Sequence, residues 1–423
     1  MLVSGVSLAA KALFVMTSSD RPFPWVGLIT LAIAIFLLVT SEFLPTGLLP
    51  AMASDLGVTQ SQIGLLITIF AGTVVASAAP LAALTRQYSR KSLLLVVLAV
   101  FALANVLAAI APNYEMLVGS RVLGGLAHGL FWAIAGAYAG HLVPRHQLAR
   151  AVAVTSAGGT TAFVLGVPLG TALGLALGWR AAFGVIAALV IVIAALVIKF
   201  LPAVDHRVSL ATGEIKLSVR RDPTMPAVLF VCLLVVIIMT GHNVFYTYIA
   251  PFVLDTAGFA PEALSVLLFL YGGAGAIGLV LAGVVGSRYP RGGLYGMLAT
   301  VILAVSVLAL FAGVPLVVVF AFIVWGAAFG GLPTLLQTRL LQVASPNVRD
   351  VGSALLTTAF NIGIGGGAAI GAGLFAVSGT VWLPWVEAGA LGLAIVALLV
   401  MEARRRARGV PLVTRPIPVV PPR

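Results

Sequence analysis

Twelve separate stretches of this chain are long and apolar enough to cross a lipid bilayer. They lie at 25–50, 61–84, 92–111, 115–142, 148–178, 181–201, 226–253, 262–285, 293–314, 316–343, 351–377 and 382–402. A spanning helix needs about 20 apolar residues, because bilayer hydrocarbon offers a bare backbone no hydrogen-bond partner. Several stretches exceed that length, so tilted and kinked helices are expected. Links as short as Ala111-Pro112-Asn113-Tyr114 join neighbours into a compact bundle. The chain is 61% hydrophobic and 9% charged, against about 45–50% apolar and about 25% charged residues in soluble domains. A soluble enzyme or a nucleic-acid module is excluded.

The net charge of +12 is a signal of topology. With the amino terminus inside, every Lys and Arg except Arg121 and Arg180 falls in a cytoplasmic segment, as the positive-inside rule requires. Both termini are then cytoplasmic, and no nucleic-acid partner is implied. The expected divisions are an extension at 1–24, a six-helix bundle at 25–201, a linker at 202–224, a second bundle at 225–403 and a tail at 404–423. The tail's Arg and Pro content reads as disordered and attracted to anionic lipid. Residues 1–15, ahead of Met16, read as a floppy extension or an upstream start rather than a cleaved signal peptide. Cys232 stands alone in an apolar run, so no disulfide forms. Arg outnumbers Lys, with abundant Ala, Gly and Val, a composition typical of a GC-rich bacterial genome.

The second half echoes the first. Thr160-Thr161-Ala162-Phe163 followed by Gly166, Gly170 and Gly174 repeats as Thr357-Thr358-Ala359-Phe360 followed by Gly363, Gly367 and Gly371. Gly129-Leu130 and Pro144 match Gly331-Leu332 and Pro346, and Thr40, Glu42 and Asp55 match Thr240, His242 and Asp255. Arg90 before the third stretch matches Arg291 before the ninth. Matches in the same order along the chain point to duplicated six-helix bundles. Such carriers bind solute near the midplane and rock one half against the other.

Four motifs make the chain resemble the major facilitator superfamily, across essentially all twelve stretches. They are Thr40-Ser41-Glu42-Phe43-Leu44-Pro45-Thr46-Gly47-Leu48-Leu49-Pro50 leading to Asp55-Leu56-Gly57, the loop Arg86-Gln87-Tyr88-Ser89-Arg90-Lys91, Arg121 with Gly124-Gly125, and Gly166-Val167-Pro168-Leu169-Gly170 with Gly178-Trp179-Arg180. The loop departs from the family pattern, with Arg86 and Ser89 replacing an acidic residue and a glycine. The resemblance is to the twelve-helix drug:proton antiporters, among them sugar, purine-nucleoside and chloramphenicol exporters. It implies an all-α membrane protein of two pseudo-symmetric six-helix bundles. It further implies a monomer that needs the proton gradient and no cofactor, in a bacterial inner membrane.

Proton coupling needs a titratable group inside the membrane. Glu42 lies about 17 residues, roughly 25 Å of helix, from Trp25, and intramembrane carboxylates are rarely idle. Its bland alternative is an inert hydrogen-bonded carboxyl. Arg121 falls at comparable depth; by resemblance it assists proton transfer, and its alternative is a clamp on backbone carbonyls. His128, two turns on, could line a cavity with Phe131 and Trp132, or simply be satisfied inside the bundle. His242, at the repeat position of Glu42, opens the polar and aromatic patch His242-Asn243-Val244-Phe245-Tyr246. Tyr246, Trp325, Phe329, Gln337 and Asn361 complete the candidate solute contacts, each of which packing would also explain. Trp25, Trp382 and Trp385 read as interfacial anchors. Gly166, Pro168 and Gly170 read as packing or a gating hinge, with Arg90 and Lys91 gating at the loop. The sequence shows no metal-ligand cluster and no Walker motif, and Gly365-Gly366-Gly367 lies inside an apolar span.

The reading that follows is an efflux carrier exchanging protons for a small neutral or amphipathic solute. Its rivals are a proton symporter of the same fold and a non-transporting membrane sensor.

Overall fold

Each apolar stretch becomes a helix. The computed structural model describes residues 23–144, 147–202, 222–289 and 292–407. The helices are α1 Trp25–Leu56, α2 Gln60–Leu84, α3 Arg90–Ala109, α4 Tyr114–Leu142, α5 at 148–177, α6 Trp179–Phe200, α7 Met225–Tyr246, α8 Pro261–Arg288, α9 Gly292–Leu310, α10 Pro315–Val343, α11 Arg349–Ser378 and α12 Leu383–Ala407. Among the described residues, twelve helices are long and apolar enough to cross a membrane. Most of the predicted extension, linker and tail lies outside the described residues.

Local chemistry sets the boundaries. Thr59 and Gln62 form a capping box at the start of α2, and the Ser89 and Asn113 side chains cap α3 and α4, each satisfying an otherwise orphaned backbone donor. Gly178 alone separates α5 from α6 at φ +88°, a conformation that favours a residue without Cβ.

Two ends differ from the hydropathy reading. α1 runs on through Pro45 and Pro50 to Leu56. α7 stops at Tyr246 and resumes as a short turn at Ile249–Pro251, then a π-helical turn at Phe252–Thr256. The break falls where the Pro251 ring would meet the carbonyl four residues earlier, that of Thr247. α5 likewise carries a π-helical turn, Ala162–Gly166, just before Pro168, which accommodates a proline inside a long helix.

The packing repeats as the sequence does. α1 packs on α5 and α7 on α11, α2 on α4 and α8 on α10, α3 on α6 and α9 on α12. The two six-helix halves meet along α2–α11 and α5–α8, contacts that a two-fold exchange of the halves interchanges. The duplicated glycines explain themselves in this frame. A Cβ on Gly166, Gly170 or Gly174 would strike Thr40, Leu44 or Leu48 of α1. One on Gly363, Gly367 or Gly371 would strike Met239, Thr240 with Asn243, or Val244 with Tyr248 of the α7 segment. Each repeat thus encodes one helix pair held at close approach.

One end of the bundle carries Arg90, Lys91, Arg150, Lys199, Arg288, Arg349 and Arg404, and is called the basic end below. Nearer the far end the halves are joined. The Gly64 Cα faces the Tyr248 side chain, and the Thr68 hydroxyl donates to the Gly365 carbonyl at 2.9 Å. At the far end itself, Arg180 pairs with Asp55, whose carboxylate also accepts from Trp179 Nε1 at 3.0 Å. Arg180 reaches the Ala111 carbonyl too, tying α1, α6 and the α3–α4 link together.

Candidate functional site

Two buried polar centres flank the interface between the halves. The first is built on α1 and α4. Pro45 has no N–H, so the Ser41 carbonyl lacks its helical partner. Arg121 supplies one: Nη1 donates to the Ser41 carbonyl and Nη2 to that of Glu42, both at 3.0 Å. The guanidinium lies over the Phe70 ring, 4.4 Å from its centroid. Arg121 therefore clamps the α1 backbone, and its Nε is buried without a partner. Ser41 in turn donates to Asn105 of α3 at 2.7 Å.

The Glu42 side chain lies beside this clamp. Its Oε2 is 3.5 Å from His128 Nε2, and its Oε1 is buried without a partner. Trp132 Nε1 donates to that same His128 nitrogen at 2.7 Å. A neutral imidazole has a single acceptor nitrogen, so Trp132 occupies it and the proton lies on Nδ1. Glu42 and His128 touch without sharing a hydrogen bond.

The second centre is built on α7, α8, α10 and α12. His242 Nδ1 lies 3.0 Å from Glu387 Oε1, and Trp325 Nε1 donates to that oxygen at 3.1 Å. Glu387 is 0% exposed, and its Oε2 is buried without a partner. The imidazole stacks on Phe329, with centroids 3.5 Å apart, and on Tyr246 at 5.1 Å. Its Nε2 faces the Tyr271 hydroxyl at 3.5 Å, long for a hydrogen bond.

His242 also lines a cavity of ≈ 250 Å³ between the halves. Phe43 of α1, Thr160 and Phe163 of α5, Asn243 and Tyr246 of α7, Tyr271 of α8, and Phe329 and Thr334 of α10 share the wall. The cavity runs from His242 toward the basic end as far as Gly159, Leu279 and Thr334. Among the described residues its lining holds no Asp, Glu, Lys or Arg. Close approach of backbones shapes it: a Cβ on Gly272 would strike the Phe163 backbone, and one on Gly326 the Tyr271 backbone.

The structure thus brings His242, Asn243, Tyr246 and Phe329 together in the cavity wall, with Trp325 directly behind. Glu42, Arg121, His128 and Trp132 form a separate cluster outside that lining. Gln337 lies away from the cavity, its amide 3.4 Å from Ser353 Oγ. Asn361 bonds its own helix at the Thr357 carbonyl. Lys91 reaches the Ile198 carbonyl on α6 of the same half. Gly166 and Gly170 face α1, and Pro168 follows the π-helical turn. Sequence reasoning missed Glu387, Tyr271 and the α5 wall. The signal for Glu387 was present: besides Glu402 near the basic end, it is the acidic residue within the last helix.

Comparison with known proteins agrees with this architecture. The profile of the Major Facilitator Superfamily matches residues 31–364 and 231–421. The "Probable sugar efflux transporter" of Helicobacter pylori (strain ATCC 700392 / 26695) is 32% identical over 381 residues, covering 90% of this chain and 96% of that protein. A bacterial homologue of the human lysosomal transporter Spinster, solved in an inward-facing, occupied conformation, superposes with a TM-score of 0.69 at 16% identity. That match covers 95% of this chain and 100% of the other. A human organic anion transporter superposes with a TM-score of 0.64 at 16% identity, covering 89% and 100% respectively.

Proposed function

Because this chain belongs to the major facilitator superfamily of membrane transporters, we propose that it expels a small, neutral, hydroxyl-bearing solute in exchange for protons. A sugar is the favoured class, and a nucleoside or chloramphenicol the next to test. The observation that carries this reading is the cavity between the halves, with aromatic walls, amide and hydroxyl groups, and no carboxylate or permanent cation in its lining. Rings cover the apolar faces of a polyol, while Asn243, Thr160, Thr334 and the tyrosine hydroxyls meet its oxygens. A charged solute would enter without a counter-charge, at high desolvation cost. The sugar-efflux name of the bacterial relative supports the same class.

In this reading the cavity opens to the cytoplasm, at the basic end, and the halves rock to expose it on the other side. Glu42 carries the coupled proton. Its free oxygen and its neighbours Arg121 and His128 supply a protonation equilibrium that responds when α1 moves against α4. The protein works as a monomer in the cytoplasmic membrane of a bacterium, driven by the proton gradient.

The test uses proteoliposomes with an imposed pH gradient and an internal pH dye. Arabinose, a purine nucleoside, chloramphenicol and a lipophilic cation are added in turn to wild type and Glu42→Gln. Proton movement triggered by a neutral hydroxylated solute in wild type alone is the expected result. Equal movement in both proteins would relocate the proton site. A response confined to the lipophilic cation would overturn the solute class.

A further inference from the structure

We propose that Glu387 and His242 form a second proton-exchange centre, in the C-terminal half, at which the solute and a proton compete for one nitrogen, His242 Nε2. The inference deepens the antiport reading above and rests on it for the identity of the solute.

The argument begins with donors and acceptors. Glu387 Oε1 takes the Trp325 N–H and faces His242 Nδ1 at 3.0 Å. A proton on Nδ1 is held there by the carboxylate, which leaves Nε2 as the imidazole's acceptor. Nε2 is the ring nitrogen directed away from Glu387, toward the Tyr271 hydroxyl, and His242 and Tyr271 both line the cavity. In that state a solute hydroxyl can donate to Nε2. A second proton, taken from water in the open cavity, makes Nε2 a donor and closes that acceptor site. The pair carries a net charge of −1 with one shared proton and zero with two. Exchanging a solute hydroxyl for a proton thus requires no other group to change.

The surroundings isolate the pair. Among the described residues, the titratable side chains facing it are Tyr246 of α7 and Tyr271 of α8. α9 has no charged residue, and those of α10 and α11 (Arg339, Arg349 and Asp350) lie toward the basic end. The other charged residues of α8 and α12 (Glu262, Arg288, Glu402 and Arg404 to Arg406) lie in terminal turns. The Phe329 and Tyr246 rings stacked on the imidazole fix its plane. Glu387 Oε2 is buried without a partner, so the imidazole is the group beside the carboxylate that can balance its charge. Among the described residues, each half holds one carboxylate–histidine contact: Glu42–His128 away from the cavity lining, and Glu387–His242, whose imidazole lines the cavity with the carboxylate buried behind it.

Nitrogen-15 NMR of histidine-labelled full-length protein in detergent tests the centre without any solute, with His242→Asn used to assign the signal. In wild type, His242 Nε2 is expected to change protonation state between pH 5 and 9, with Nδ1 keeping its proton. Glu387→Gln is expected to move that midpoint by at least one pH unit. A His242 signal that stays constant over the range in wild type overturns the proposal, whether or not any variant folds. The same samples are then titrated with whichever solute moves protons in the proteoliposome panel. Its apparent affinity is expected to change about tenfold across the His242 midpoint in wild type, and the change is expected to follow the displaced midpoint in Glu387→Gln. An affinity change that stays at the wild-type midpoint in a folded Glu387→Gln would also overturn the proposal. If no solute moves protons, the antiport reading fails while the NMR titration still decides the dyad.

Discussion

At the scale of single residues, the most consequential arrangement is the forked contact of Arg121 with two successive carbonyls of α1. It exists because Pro45 leaves the Ser41 carbonyl without a helical donor, so proline and arginine form one structural unit although they lie on different helices. A hydrogen bond from a charged donor contributes about 1.5–3 kcal/mol. Arg121→Met is therefore expected to destabilise the detergent-solubilised protein by about that amount, read as a lowered Tm. Adding Pro45→Ala restores an N–H opposite the Ser41 carbonyl, and should recover about 1 kcal/mol of the loss. Additive effects of the two substitutions would mean that the guanidinium matters for a reason other than the orphaned carbonyl. Lysine is a poor substitute here, because a point charge cannot fork across adjacent carbonyls.

At the scale of helices, the duplicated glycines hold α1 against α5 and α7 against α11, and the nature of each contact orders the cost of disturbing it. A Cβ at Gly367 would lie 2.5 Å from the Thr240 carbonyl oxygen and 2.7 Å from Asn243 Cβ, neither of which can swing away. Gly367→Ala is expected to cost about 1–3 kcal/mol. Gly273 of α8 has no atom within 4 Å of such a Cβ, so Gly273→Ala should change stability by less than about 1 kcal/mol. Thermal unfolding of the two variants side by side checks the order, and equal Tm values would contradict the packing account. These helices were legible because hydropathy reports membrane spans directly, and the repeated Thr-Thr-Ala-Phe and glycine spacing betrayed the duplication. The break after Tyr246 was not, because a proline ends one helix and is absorbed by another, as Pro45 and Pro50 are in α1. The site was half legible. Glu42, Arg121, His128 and His242 stand out as polar residues in apolar helices. Which of them meet depends on how helices rotate about their axes, and that is decided by packing remote in sequence. Glu387 escaped for this reason: five residues from the start of a predicted span it reads as a helix end, yet α7 and α10 bury it completely.

At the scale of the whole molecule, the two halves touch through α2–α11, α5–α8 and the contact of the Ile249–Pro251 turn with α1. The α2–α11 seam and that turn lie toward the far end, and the cavity extends the other way. The alternating-access cycle proposed above requires this seam to be separable, so it should rest on close apposition of small residues rather than on a deep interlocked core. Gly64 is the sharpest case, since a Cβ there would run into the Tyr248 hydroxyl and ring. That hydroxyl already donates to the Ala368 carbonyl, while the ring stacks on Phe375 of α11. Gly64→Leu is thus expected to wedge the far end apart and shift the population toward a state open on that side. Thr334→Cys in a Cys232→Ser background places a reporter thiol in the cavity wall. A membrane-impermeant maleimide applied from the far side should label that thiol several-fold faster with Gly64→Leu than without it, and labelling from the basic side should slow. Reciprocal change is the decisive feature: faster labelling from both sides would indicate general loosening, and no change would mean the α2–Tyr248 contact does not hold the halves closed.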